Sequence, residues 1–409
     1  MKTLIIGSGP AGLTVAEELR ALAPESDIVM VSTEPFAPYA PPAMADYFLT
    51  GREETLFWKG RDICDRLEID FRPSTPVEGL RPGSNEVVLG AGQTIGYDNL
   101  VLASGSRLHS PIGGSDLAGV FDFKSLSAAT ALVDAVRKGT VTRAVIVGAG
   151  FIGVEVALLL RDLGVEVTQV EMSDRVMPRM LDPETAEIVL AEMHRRGVEV
   201  LLETKAVAFQ GARPVEAVEL ESGRLLAGDA FIAATGVKPN VEFMDGSGVD
   251  MEWGIRVDDH LRTNLPGVYA AGDVAQTMDR MTGESYVHAI FPNAVAQARV
   301  VARNLAGIEE TYAGSENMNS LKHLGVQVMA VGAPSGDREL RMRRNGILRK
   351  VFLTDDRIVG FRLAGDISGA GVLRSLMLKG VGVGPYEDRL VTPGFGIGDL
   401  VLTVPSVVR

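Results

Sequence analysis

Thiol chemistry is almost missing from this chain, whose 409 residues include one cysteine, Cys64. A single cysteine closes no intrachain disulfide and cannot supply the four thiolates of an iron–sulfur cluster, so a reducing, cytoplasmic setting is the default expectation. No metal site is nominated. No apolar run is long enough to cross a membrane, since the best candidate, residues 144–160, is interrupted by glycines and Glu155. Positive charge is in deficit: 40 Lys and Arg against 53 Asp and Glu leave a formal charge of −13, which argues against nucleic-acid binding. A strand-like run starts at Lys2, so no signal or transit segment is expected ahead of the fold.

The chain is otherwise rich in what a globular α/β protein needs. With 46% apolar and 23% charged residues it can bury two or three domain cores. Glycine is arranged in two copies of one pattern, Gly7-Ser8-Gly9-Pro10-Ala11-Gly12 and Gly148-Ala149-Gly150-Phe151-Ile152-Gly153. A β-branched run precedes each, Thr3–Ile6 and Ala144–Val147, and a helix-like stretch follows. In such a turn the first glycine makes the bend tight, the second lets backbone approach a pyrophosphate, and the third lets helix pack on strand. The helix N-terminus then offers unpaired N–H groups to the anion. Glu34 stands 22 positions past Gly12 and Glu171 stands 18 past Gly153, against the roughly 20 expected for an acid that accepts bonds from a ribose diol. Two bound dinucleotides are therefore expected.

The rest of the chain repeats this plan and then changes character. The first segment ends on Asn99–Leu102 and the turn Ala103-Ser104-Gly105; the second holds a helix over Ser127–Arg137 and ends on Ala230–Ala233 and Ala234-Thr235-Gly236. Residues 267–273 then form a short buried strand ending in Asp273, followed by a helix over Asn293–Leu305. The last hundred residues alternate polar and apolar. Asn345-Gly346 and Asp355-Asp356 punctuate them, which predicts a three-stranded meander over Glu339–Leu363 and a helix over Ala370–Leu378. A basic cluster in that meander, Arg338, Arg341, Arg343, Arg344, Arg349 and Lys350, reads as a solvated hairpin face rather than a docking patch.

This order of motifs resembles the pyridine nucleotide-disulfide oxidoreductase superfamily over essentially the whole chain. The resemblance implies an α/β fold with two Rossmann-like dinucleotide-binding domains, the FAD domain split by an inserted NAD domain, plus a C-terminal α+β interface domain. The implied boundaries are 1–112 and 244–311 for FAD, 113–243 for NAD, and 312–409 for the interface domain. Ala103-Ser104-Gly105 and Ala234-Thr235-Gly236 match the family's paired ATG-type turns, and Ala271-Gly272-Asp273 matches its second FAD motif. The resemblance gives Asp273 the ribityl chain of FAD and gives Val77 a backbone contact to adenine. It sets Asn293 at a helix start beneath the flavin pyrimidine ring, and makes Phe151 an aromatic gate over the flavin. Glu155 would lie near flavin and nicotinamide; a charge among Val154, Val156, Ala157 and Leu158 is costly unless paired. Gly272 and Gly236 belong to the same turns.

Cofactor preference is readable from the second acid. Glu171 would accept bonds from the free ribose hydroxyls of NAD and repel the 2′-phosphate of NADP, while Met172 supplies no cation; Arg175 is the residue that could offset this. Across the flavin, relatives carry redox cysteines. Here the corresponding loop, Pro38–Asp46, contains no sulfur nucleophile, and Cys64 lies downstream between acidic neighbours that raise a thiol pKa. The loop is similar to the PY.RP.LSK segment of ferredoxin and rubredoxin reductases, but Pro41, Ala45 and Asp46 replace its arginine, serine and lysine. Met318–Lys322 and Gly360–Asp366 look more like the flavoprotein subunit of phenylglyoxylate dehydrogenase and the flavin portion of NADH nitrite reductases. The reading is an FAD-dependent NAD(H) oxidoreductase with an iron–sulfur protein or subunit as electron partner, as a homodimer or part of a larger complex. The alternatives are a stand-alone ferredoxin or rubredoxin reductase, a thiol-independent NADH oxidase, and a non-turnover subunit that binds FAD and NADH for assembly or sensing.

Overall fold

In a computed structural model the described residues are 1–211, 214–321 and 323–402; Lys322 of the quoted C-terminal motif and the chain's last seven positions lie outside them. The chain forms two compact units, one of Met1–His109, Asp122–Ala135 and Val237–Glu316, the other of Ser110–Phe121, Val136–Gly236 and Asn317–Arg409.

The first unit is built on a five-stranded parallel sheet, in the order Val268–Ala270, Asn99–Leu102, Lys2–Ile6, Asp27–Val31, Asp70–Arg72. Its central strands are near-continuous apolar runs because both faces are covered. Ile5 points to a core shared with the helices Pro10–Leu22 and Phe291–Leu305, whereas Leu4 and Ile6 point to a core under the meander of Val77–Arg81, Glu86–Leu89 and Thr94–Gly96. The two helices pack on each other through small side chains, among them Ala11, Ala16, Ala294, Ala298 and Ala302. Residues 122–135, which the sequence reading groups with the second lobe, belong to this unit. The cause is side-chain capping: the helix Leu126–Arg137 has its first N–H groups bonded to Tyr39 and Glu34.

The second unit repeats the parallel sheet, in the order Val198–Leu201, Glu166–Val170, Arg143–Val147, Ala230–Ala233, Val120–Phe121, with helices Phe151–Asp162 and Pro183–Arg195. It also carries a five-stranded antiparallel sheet, in the order Met318–Leu321, Val328–Gly332, Arg357–Ala364, Ile347–Thr354, Arg338–Arg344. The two turn signals fall where expected, between Arg344 and Ile347 and between Thr354 and Arg357, and the following helix spans Ala370–Leu378.

The basic cluster is a solvated face only in part: Arg338, Arg341, Arg343 and Arg344 are exposed along the outer strand, but the cations of the next strand are not. Arg349 and Lys350 are buried, and Arg341, Lys350 and Arg362 form a cross-strand row on one face. Lys350 Nζ lies 2.7 Å from Asp182 and 3.2 Å from Glu184 and Glu339; Arg341 and Arg343 also donate to Glu184, at 2.8 and 2.9 Å. Arg349 donates to the carbonyls of Asp366 and Ser368, while Arg362 donates to those of Val331, Phe361 and Gly332. Burial pulls the Arg362 guanidinium down to about 10, partly opposed by Asp182. Two of the anions that neutralise this row, Asp182 and Glu184, come from the start of the Pro183–Arg195 helix, over 150 residues away in sequence.

Candidate functional site

Each fingerprint folds into the same backbone device. Gly7 and Gly148 have positive φ, +107° and +101°, which side-chain-bearing residues rarely adopt. A Cβ on Gly7 would run into the Ala103 carbonyl, and one on Gly148 into the Ala234 carbonyl. This close approach is why each lobe needs a small-residue turn after its closing strand. Gly12 and Gly153 are likewise closed off, by the carbonyls of Gly7 and Gly148. Gly9 and Gly150 are the exceptions: each has open space where a side chain would stand.

Those open glycines are the N-caps of the Pro10–Leu22 and Phe151–Asp162 helices. Among the described residues neither helix has a capping side chain or an acid in its first turn. Its leading N–H groups and positive dipole end are thus left for an external anion, and a dinucleotide pyrophosphate fits both cradles. The Pro183–Arg195 helix is the contrast. Its N-cap Asp182 accepts from the Thr185 N–H, and Glu184 sits in its first turn. That N-terminus satisfies itself.

Around the first cradle, Gly272 lies against the Cβ of Ala11 and of Ala294, so the AGD-type turn meets the starts of the Pro10–Leu22 and Phe291–Leu305 helices. Gln297, buried, receives the Gly272 N–H at 2.7 Å. Asp273 Oδ2 accepts from Ser106 Oγ at 2.8 Å and from Lys124 Nζ at 2.6 Å. Ser104 and Asn240 exchange two hydrogen bonds, at 2.8 and 3.0 Å, which fixes the turn ending at Gly105. Sequence reasoning missed Ser106, Lys124, Asn240 and Gln297, because each is named only by a distant partner. Asn293 is not the helix cap: the helix opens at Phe291, and the Asn293 amide instead bonds the backbone of Glu316 in both directions. Val77 opens the meander and packs with Leu4 and Ile6.

Around the second cradle, Glu171 follows its strand directly and is buried, 7% exposed. Its Oε2 accepts the Ala149 N–H at 2.8 Å and its Oε1 the Ser173 N–H at 2.9 Å. Met172 beside it is 71% exposed, an apolar surface next to the buried acid. Arg175 is committed elsewhere, to Asp174 at 2.7 Å and the Leu181 carbonyl at 3.3 Å. Phe151 is the first helical residue, half-buried, and Glu155 is partly buried one turn on, between buried Val154 and Val156. Gly236 opens the short strand Gly236–Pro239.

The two acids are not equivalent. Glu171 touches its glycine turn. Glu34 lies three residues past the end of its strand, and its carboxylate is bonded to Tyr39 Oη at 2.6 Å and to the N–H and hydroxyl of Ser127 at 2.8 Å. The expected symmetry of Glu34 and Glu171 does not hold. Cys64 is buried, and burial first, then Asp65, pushes its thiol up to about 11. It stays protonated at neutral pH, as its acidic neighbours imply.

Two anion cradles on duplicated Rossmann lobes define a protein that holds two dinucleotides. Residues 1–298 match the Pyridine nucleotide-disulphide oxidoreductase family, and the chain belongs to it. It is 33% identical to an NADH oxidase of Methanocaldococcus jannaschii over 76% of this chain and 71% of that one. It is 28% identical to the NADH-dependent phenylglyoxylate dehydrogenase subunit epsilon of Aromatoleum evansii over 98% of this chain and 97% of that one. Among solved structures, the ferredoxin reductase for the CYP199A2 system of Rhodopseudomonas palustris superposes with a TM-score of 0.86 at 25% identity, covering 98% of this chain and 99% of that one. The chain is an NAD(H)-dependent flavoprotein oxidoreductase that binds FAD and NAD(H). Among the described residues no helix is long and apolar enough to cross a membrane.

Proposed function

We propose that this protein passes electrons between NAD(H) and an iron–sulfur partner through FAD, as the NAD-linked subunit of a 2-oxoacid oxidoreductase complex of the phenylglyoxylate type. The observation that carries the reading is the state of Cys64. The chain's one thiol is buried and held protonated, so no sulfur relay stands between flavin and acceptor. End-to-end similarity to the epsilon subunit supports the choice of complex.

In this reading the first cradle, with Gly7, Gly9, Pro10, Ala11, Gly12, the Ala103-Ser104-Gly105 turn, Gly272, Asp273 and Asn293, holds FAD, and Val77 contributes backbone contact to its adenine end. The second, with Gly148, Gly150, Gly153, Glu171 and Gly236, holds NAD. Glu171 accepts from the ribose hydroxyls of NAD, and its charge disfavours a 2′-phosphate there. Phe151 and Glu155 serve the nicotinamide end. FAD, when bound, supplies the exchange between a two-electron hydride and single electrons. The protein's part is to place and shield the cofactors.

The test is anaerobic. Purified yellow protein is mixed with NADH, then with an iron–sulfur acceptor or with oxygen. Bleaching by NADH and rapid reoxidation by the iron–sulfur protein, with slow reoxidation by oxygen, supports the reading. Rapid oxygen consumption sinks it and favours a thiol-independent NADH oxidase, the second reading that similarity to the Methanocaldococcus jannaschii protein supports.

A further inference from the structure

We infer that Ser32, not Glu34, is the side chain offered to the adenosine ribose of FAD, and that Glu34 instead caps a helix and anchors the loop that follows it. The inference rests on the reading that the first cradle holds FAD.

The register is fixed by backbone hydrogen bonds that recur in both lobes. The Gly7 N–H donates to the Val31 carbonyl at 2.8 Å, and the Gly148 N–H donates to the Val170 carbonyl at 2.7 Å. Val31 and Val170 each end the second strand of their sheet. One residue on, the Ser32 N–H donates to the Arg72 carbonyl at 3.1 Å and the Glu171 N–H to the Leu201 carbonyl at 2.9 Å, each reaching the neighbouring strand. Ser32 therefore occupies the position of Glu171. Both are buried to the same degree, 7% exposed. Glu34 lies two residues further on, past the end of the strand.

Glu34 also has other work. Its Oε1 accepts both the N–H and the hydroxyl of Ser127, and its Oε2 accepts the Tyr39 hydroxyl, whose oxygen in turn accepts the Leu126 N–H at 2.8 Å. Leu126 and Ser127 open a helix, and their N–H groups have no partner within it. Burial, and then the charge of Glu34, holds the Tyr39 phenol far above its ordinary range, so it remains a donor to Glu34. Turning Glu34 toward a ribose would take the acceptor from the Ser127 N–H and hydroxyl and from the buried Tyr39 phenol together. A neutral hydroxyl at position 32 makes a weaker bond than a carboxylate would, so the adenosine half of FAD is held with less force than a carboxylate at that position would supply.

The experiment compares FAD with analogues lacking the 2′- or the 3′-hydroxyl of the adenosine ribose, in affinity for the full-length protein. Wild type is expected to discriminate against one of the two by about fivefold, the loss of one neutral hydrogen bond. Ser32→Ala is expected to weaken FAD binding by the same factor and to erase the discrimination. Glu34→Gln is expected to keep the discrimination and hold FAD affinity within about twofold, while Glu34→Ala lowers the thermal midpoint by several degrees through loss of the cap. Discrimination that survives Ser32→Ala, or that Glu34→Gln erases, overturns the inference. Protein that takes up no FAD at all would fail the underlying reading instead.

Discussion

The Gly7–Gly12 and Gly148–Gly153 turns share their backbone contacts as far as the end of the following strand, and part company one residue later. Up to Val31 and Val170 the same glycines collide with the same kinds of carbonyl, and the same N–H reaches the same strand end. Then one lobe places a serine and the other a glutamate. The difference teaches that the two halves of the motif answer to different constraints. The first and last glycines of each turn are fixed by backbone packing, which admits no alternative. The residue after the strand is under no such constraint, and the two lobes differ there.

The hardest way to break the comparison is to fill the closed glycines. In Gly12→Ala and Gly153→Ala the new methyl meets a backbone carbonyl that cannot step aside. Each should cost about 3 kcal/mol or more in unfolding free energy. Their functional losses should differ: Gly12→Ala protein should lose its yellow colour, whereas Gly153→Ala protein should stay yellow but fail to bleach with NADH. Gly9→Ala and Gly150→Ala sharpen the point, because open space surrounds both positions. They should fold within about 1 kcal/mol of wild type and lose dinucleotide affinity. Denaturant titration alongside absorbance spectra checks all four.

Next in size is the ligand choice of the second lobe. Replacing Glu171 with alanine and the exposed Met172 with arginine removes a repelling charge and adds an attracting one where a 2′-phosphate would stand. A charge-assisted hydrogen bond gained and a charge clash removed, at about 1.5–3 kcal/mol together, should shift the ratio of NADH to NADPH reduction rates toward NADPH by about 10- to 100-fold. Steady-state flavin reduction with each nucleotide measures it.

What the sequence made legible follows the same division. Strands, turns and fingerprints were readable because they are local: β-branched runs, glycine spacing and Asn345-Gly346 need no partner to be recognised. Ser106, Lys124, Asn240 and Gln297 were not, since each matters only through a residue brought close by the fold. The buried part of the basic hairpin, Arg349 and Lys350, was hidden for the same reason. Alternating cations on a strand look like a wet face, and nothing near Lys350 in sequence announces that Asp182 and Glu184 will cover it.

That third helix start sharpens the contrast further, since its anions are built in and therefore titrate. Hydrogen bonds from Arg341 hold the Glu184 carboxyl well below its ordinary range, opposed by partial burial and aided by Arg343 and Lys350. Burial pushes Asp182 up, but Lys350 and Thr185 more than offset it and hold it low. Groups with depressed folded-state pKa values stabilise the protein fully above the unfolded-state value near 4, and that contribution is lost as pH falls below it toward the folded value. Glu184→Gln should therefore flatten the loss of stability between about pH 5 and pH 3. Denaturant midpoints at the two pH values decide it, and equal slopes in variant and wild type would count against the assignment.

The smallest effect expected is at Arg175, and it tests the nucleotide preference proposed for Glu171. Arg175, five residues past the strand end, is a nearby cation that could welcome a 2′-phosphate and blur the preference proposed for Glu171. Its guanidinium, however, is bonded to Asp174 and to the Leu181 carbonyl, and to swing toward a phosphate it would have to give up both. The pair with Asp174 alone is partly exposed and worth little, at most about 1 kcal/mol. The carbonyl bond adds a tie to the turn before the next helix. Arg175→Ala should accordingly leave the NADH to NADPH ratio within about twofold, while Glu171→Ala alone moves it by tenfold or so. If instead Arg175→Ala depressed NADPH use as strongly as Glu171→Ala raised it, nucleotide preference in the second lobe would belong to a movable cation and not to a fixed anion.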